Sequence, residues 1–103
     1  MNTLASRVAL VTGSSRGIGA AIARLFAREG ATVAVHGRDP TALSAVRADI
    51  ERAGGTACLV RGDVTKLSEL DAMRRQIEEE LGPIEILVAN AGGSFTLPGP
   101  LEE

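Results

Sequence analysis

Apolar positions along the chain alternate between two kinds of spacing. Val8–Val11, Thr32–His36, Thr56–Val60 and residues 84–89 are short apolar runs rich in β-formers, and they predict buried strands. The stretches between them carry a 3.6-residue period. Over residues 17–29, Ile18, Ala21, Ile22, Leu25 and Phe26 fall on one face and Arg24, Arg28 and Glu29 largely on the other. Gly30 suits the position just past a helix end. Asp39-Pro40 predicts the start of a second helix, because Asp can cap and proline tolerates the first helical position. Leu43, Val46, Ile50 and Ala53 form its apolar stripe, and Gly54-Gly55 stops it. A third helix begins near Thr65 or Ser68, either of which can cap it. Leu67, Leu70, Met73 or Arg74, Ile77 and Leu81 give its periodic face, Glu78, Glu79 and Glu80 its solvated side, and Gly82-Pro83 its end.

Strands that alternate with helices predict an α/β fold with a doubly wound parallel sheet. Right-handed crossovers give the strand order 3-2-1-4, with the first two helices on one face and the third on the other. One helix then covers a face four strands wide, and strand four is an apolar open edge. Residues 98–103 look like the approach to a further helix. The expectation is that residues 1–103 are the amino-terminal part of a single domain that continues beyond them.

The stretch from Val8 to Gly19 carries the strongest chemical signal. Strand one ends in Thr12-Gly13-Ser14-Ser15-Arg16-Gly17-Ile18-Gly19, which opens directly into the first helix. A helix amino terminus presents unpaired N–H groups and the positive end of its dipole, which suits a phosphate. Gly13, Gly17 and Gly19 leave room for a tight turn and for a pyrophosphate to approach the backbone.

Composition narrows the partners. Eleven basic and thirteen acidic residues give a net charge of −2, so no basic excess argues for nucleic acid. No apolar run approaches a membrane span, and the first residues lack a signal-peptide pattern, so the expectation is a cytoplasmic protein. The single cysteine, Cys58, cannot form an intrachain disulfide and reads as a buried inert thiol. No His/Cys/Asp/Glu cluster has metal-ligand spacing.

Three motifs in order, the glycine turn, Asp63-Val64 and Asn90-Ala91-Gly92, resemble the classical short-chain dehydrogenase/reductases, most closely the 3-oxoacyl-carrier-protein reductase group. The resemblance implies a Rossmann-type doubly wound fold, a longer subunit and usually a homotetramer. It also implies an oxidoreductase that moves a hydride between a nicotinamide cofactor and a small-molecule carbonyl or alcohol. By the same resemblance, Gly13, Gly17 and Gly19 shape the pyrophosphate turn, with Ser15 and Ile18 along the phosphates and ribose. Asp63 would accept from the adenine amino group and Val64 would pack on the ring. Asn90, Ala91 and Gly92 would lie beside the nicotinamide-side ribose, although Asn90 has its own structural reading as a turn residue. One departure is Ala89, where the family often has a first asparagine.

An NAD site wants a carboxylate near the end of strand two, where this chain has His36-Gly37-Arg38. Asp39 follows, but its neighbour Pro40 points to helix capping. Arg38 and Arg16 could flank a 2′-phosphate, so NADP(H) is favoured over NAD(H). His36 reads as a strand-end residue near the adenosine pocket, and Asp63 can either cap the following loop or contact adenine. Gly93, Ser94 and Phe95 border either a substrate cleft or a plain loop.

The family's catalytic serine and Tyr-x-x-x-Lys pair lie beyond strand four. These residues contain no tyrosine, and Lys66 is their only lysine, so no catalytic residue is assigned and the 103-residue piece is expected to be inactive. The main alternative is a non-enzymatic NADP(H)-binding relative, or one completed by a partner. A methyltransferase would have no use for Arg16 and Arg38, and a P-loop nucleotidase would need a Lys-Ser/Thr pair after the turn.

Overall fold

The computed structural model describes residues 4–90. Its elements are β1 (Val8–Val11), α1 (Gly17–Arg28), β2 (Thr32–His36), α2 (Pro40–Arg52), β3 (Thr56–Val60), α3 (Leu67–Glu80) and β4 (Ile86–Val88). The strands form one parallel sheet in the order β3-β2-β1-β4. Leu10 sits level with Ala34 on one side and Leu87 on the other, and Ala34 with Cys58.

Strand alternation divides the core as the pattern requires. Ala9, Val11, Val33, Val35 and Ala57 face Ala20 and Ala23 of α1 and Leu43, Val46 and Ile50 of α2. Val8, Leu10, Ala34, Cys58 and Val60 face Met73 and Ile77 of α3. Leu87 shares the α3 face through its register with Leu10, yet it is 63% exposed, because one helix does not reach across four strands. Burial, with Glu80 adding to it, pushes the Cys58 thiol up to about 11. The raised value favours the folded state below the ordinary 9.0, and that contribution is lost as pH rises through about 11. At neutral pH the thiol is protonated and inert.

Four local expectations are corrected. On α1 the expected face included Ile18, Ala21 and Leu25, which are exposed; the buried residues are Gly19, Ala20 and Ala23, small enough for the helix to lie close on the sheet. Neither Thr65 nor Ser68 caps α3: the N-cap is Lys66, with no side-chain cap bond. The Thr65 hydroxyl donates to Asp63 Oδ1 at 2.6 Å instead, which turns it back into the preceding loop. Leu67 and Leu70 are exposed at 81% and 37%, so the buried face of α3 is Met73 and Ile77. The first turn of α3 sits at the rim of the sheet, where Glu69 accepts from the Asp63 amide at 2.7 Å. β4 is shorter than residues 84–89. Glu85 donates its amide to the Val8 carbonyl and accepts from the Val8 amide through its side chain, while Ile84 packs on the α3 cluster.

Candidate functional site

The carboxyl ends of β1, β2 and β3 meet in a rim built largely from buried polar groups. Gly13 turns the chain out of β1 with φ +64°, and Gly17 opens α1 with φ +62°, a region that only glycine occupies at low cost. A Cβ on Gly17 would meet nothing within 4 Å, so its bare backbone faces open space. Gly19 serves the opposite purpose. A Cβ there would lie 2.2 Å from the Gly13 carbonyl oxygen and 2.7 Å from Asn90 Nδ2, so only glycine lets α1 approach the turn. The N-cap of α1 is Arg16, in extended backbone, with no side-chain cap and no acid in the first turn. The helix end is therefore open to an anion.

Side chains knit this turn to both neighbouring strands. Ser14 is fully buried; its hydroxyl donates to the Val11 carbonyl at 2.7 Å and accepts from the His36 amide at 2.8 Å. The Ser14 amide donates to the His36 carbonyl at 2.7 Å. On the other side, Thr12 Oγ1 accepts from the Asn90 amide at 2.8 Å, and Asn90 Nδ2 donates to the Gly13 carbonyl at 3.4 Å. His36 is 5% exposed; its Nδ1 accepts from the Gly13 amide at 3.0 Å and its Nε2 lies 2.8 Å from the Gly62 carbonyl.

Beside this knot lies a cleft of about 520 Å³ lined by Gly37, Arg38, Arg61, Gly62, Asp63 and Glu69. The Asp63 carboxylate accepts from both the hydroxyl and the amide of Thr65. Those two bonds hold it below the usual carboxylate range, and Lys66 and Arg38 add to this. A depressed carboxyl stabilises the fold above the ordinary Asp value of 3.8, and that contribution is lost as pH falls through its folded value.

A glycine turn that leads into an open helix end at the carboxyl rim of a parallel sheet is the place where doubly wound folds hold dinucleotides. The short chain dehydrogenase profile matches residues 7–103. The chain belongs to that family. It is 40% identical over 92 residues to the ketoacyl reductase HetN of Nostoc sp., covering 89% of this chain and 32% of that protein. It is 40% identical over 101 residues to the gluconate 5-dehydrogenase of Gluconobacter oxydans, covering 98% of this chain and 39% of that protein. A crystal structure of an actinorhodin polyketide ketoreductase variant with NADPH superposes with a TM-score of 0.80 at 39% identity, covering 89% of this chain and 35% of that one. The chain thus spans about a third of the length of such relatives.

Within this short chain dehydrogenase framework the rim gathers most of the residues singled out in the sequence. Gly13, Gly17 and Gly19 form the turn, and exposed Ile18 and half-buried Ser15 lie along it. Arg16 reaches Asp39 Oδ2, next in the chain to Arg38, at 3.4 Å across the surface. Arg38 lines the cleft. Asp63 is tied to Thr65 through Oδ1, and Val64 packs against the α3 side of the core. Asn90 supports the turn, while Ala91, Gly92, Gly93, Ser94 and Phe95 lie outside the described residues. Ser14 and Arg61 were not singled out in the sequence. Ser14 carried one faint signal, a polar residue just past a buried strand, whereas Arg61 reaches the cleft only because β3 and β2 are neighbours.

Proposed function

We propose that this chain is the cofactor-binding part of an NADP(H)-dependent oxidoreductase that reduces a carbonyl or oxidises an alcohol. The observation that carries the choice of cofactor is the state of Asp39. Its Oδ1 accepts from the Thr41 and Ala42 amides at 2.9 and 3.3 Å, capping α2, and its Oδ2 faces Arg16. The acid nearest the end of β2 is therefore engaged elsewhere, and a ribose 2′-hydroxyl lacks the acceptor that NAD sites provide. Arg38 and Arg61 instead line the cleft beside it, which suits a 2′-phosphate. The NADPH named with the actinorhodin ketoreductase structure supports the same choice.

The open end of α1, with Gly13, Ser15, Gly17, Ile18 and Gly19, would hold the pyrophosphate, with Arg16 at its edge. Asp63, through its unbonded oxygen or its backbone, and Val64 would border the adenine. Asn90, Ala91 and Gly92 would border the nicotinamide-side ribose. When bound, NADP(H) supplies or accepts the hydride. The proton for the developing alkoxide would come from a serine, tyrosine and lysine set beyond residue 103, so residues 1–103 are read as the inactive amino-terminal part of one Rossmann domain. We read the whole protein as a cytoplasmic homotetramer acting on a small-molecule carbonyl or alcohol; its relatives include both a ketoacyl reductase and a gluconate 5-dehydrogenase.

Titration of the full-length protein with NADPH and NADH tests the reading. Arg38→Asp is expected to weaken NADPH binding by roughly 10- to 100-fold, the loss of one charge-assisted contact, and NADH binding by less than threefold. Equal losses for both cofactors would remove the basis for choosing NADP(H).

A further inference from the structure

His36 is the one buried titratable ring among the described residues, and the reading above leaves it without a task. Its two nitrogens face two different loops. Nδ1 accepts from the Gly13 amide at 3.0 Å, which requires a lone pair there, and so the ring carries its proton on Nε2 and donates to the Gly62 carbonyl at 2.8 Å. Its backbone is held as well: the amide donates to Ser14 Oγ, and the carbonyl accepts from the Ser14 amide. The ring is therefore a strut of fixed length and polarity between the phosphate turn after β1 and the cleft loop after β3. No backbone hydrogen bond runs directly between those two loops among the described residues.

The geometry points to His36 as the positioning residue that sets the phosphate turn and the Arg61–Gly62–Asp63 loop at the spacing a dinucleotide must bridge. The inference rests on the cofactor reading above. Gly13 starts the turn that leads to the open helix end, and Gly62 lies between two cleft-lining residues, Arg61 and Asp63. A ligand with its phosphates at the first loop and its adenosine at the second spans the strut. Without it, each loop retains its own local bonds, the Ser14 pair on one side and the Asp63–Thr65 and Glu69–Asp63 bonds on the other, and the strands still align their bases, but the direct tie between Gly13 and Gly62 is gone. The cost then falls on binding, as ordering of the loops when the ligand arrives.

Side chains that make half of the bridge test this. Asn at position 36 can accept near the Nδ1 position but does not reach Gly62, and Gln can reach Gly62 but does not accept from Gly13. Phe fills the space and makes neither bond. Affinity for NADPH is measured by fluorescence titration of the full-length protein, well below each variant's melting temperature. His36→Phe is expected to raise the dissociation constant about tenfold or more, and His36→Asn and His36→Gln by intermediate factors of about threefold to tenfold. A part that only stabilises the fold would lower the melting temperature and leave the dissociation constant within twofold, and that result overturns the inference. Nitrogen NMR of the wild-type ring provides a check that needs neither variants nor cofactor. A proton on Nε2 and none on Nδ1 is expected, and the opposite tautomer overturns the strut. Wild-type protein that binds neither NADPH nor NADH would instead overturn the cofactor reading, and the positioning role with it.

Discussion

The two helices that cover the same face of the sheet begin in opposite ways. α2 is closed by its own chain: Asp39 accepts from two of its first amides, and Pro40 removes a third donor. α1 begins at Arg16, whose side chain turns away to Asp39, and nothing on a side chain meets its first amides. Both helices pack small or branched apolar residues on the same face of the sheet, α1 over β1 and β2 and α2 over β2 and β3, so packing does not require the difference. An uncapped helix end costs stability, on the order of 1 kcal/mol relative to a good cap. An open end beside a sealed one leaves the α1 amides free to receive a negative charge. The glycines follow the same division. Gly13 and Gly17 leave backbone bare at the open end, and Gly19 lets that end settle against the turn.

Three substitutions break or sharpen this contrast, and the largest effect is expected at Gly19. Gly19→Ala places a methyl 2.2 Å from the Gly13 oxygen, so α1 must move off the turn. We expect a loss of about 1–3 kcal/mol in urea unfolding of the full-length protein, with NADPH binding reduced more than tenfold. Unchanged affinity would mean that the approach of α1 to the turn does not shape the site. Next is Asp39→Ala, which opens the sealed helix. Stability should fall by about 1 kcal/mol and exchange at the Thr41 and Ala42 amides should quicken, while NADPH affinity does not fall because Arg16 is released. A matching drop in affinity would show that the cap of α2 and the open end of α1 are not separate devices. The smallest effect is expected from Arg16→Ser, which gives α1 the kind of cap α2 has. It should raise stability by about 0.5 kcal/mol and weaken NADPH binding more than Arg16→Ala does, since the hydroxyl competes for the same amides. Tighter binding in the serine variant would contradict the open-end reading.

Much of this architecture was legible along the chain. The four strands and three helices lie where the periodicity put them, and the order 3-2-1-4 with helices divided between the faces follows from right-handed crossovers. The cap on α2 was equally plain, because Asp-Pro before an apolar stripe has a local mechanism. The misses share a cause. The expected face of α3 included Leu67 and Leu70, but the helix overhangs the sheet at its first turn, and periodicity says nothing about where a partner surface stops. Thr65 had the right residue type for a cap, yet Asp63, two residues earlier, draws its hydroxyl away.

Local chemistry by itself determined the elements and the glycine turn, because each depends on spacing within one short segment, and the handedness of the crossovers added the strand order. Only the tertiary structure decided what the polar residues at the rim do. Ser14, His36 and Asn90 each satisfy a partner 22 to 78 positions away in sequence, as the Ser14–His36 and Thr12–Asn90 bonds illustrate. A buried hydrogen bond depends on which backbone groups the packed strands leave unpaired, and that is set when the sheet assembles rather than by any run of neighbouring residues.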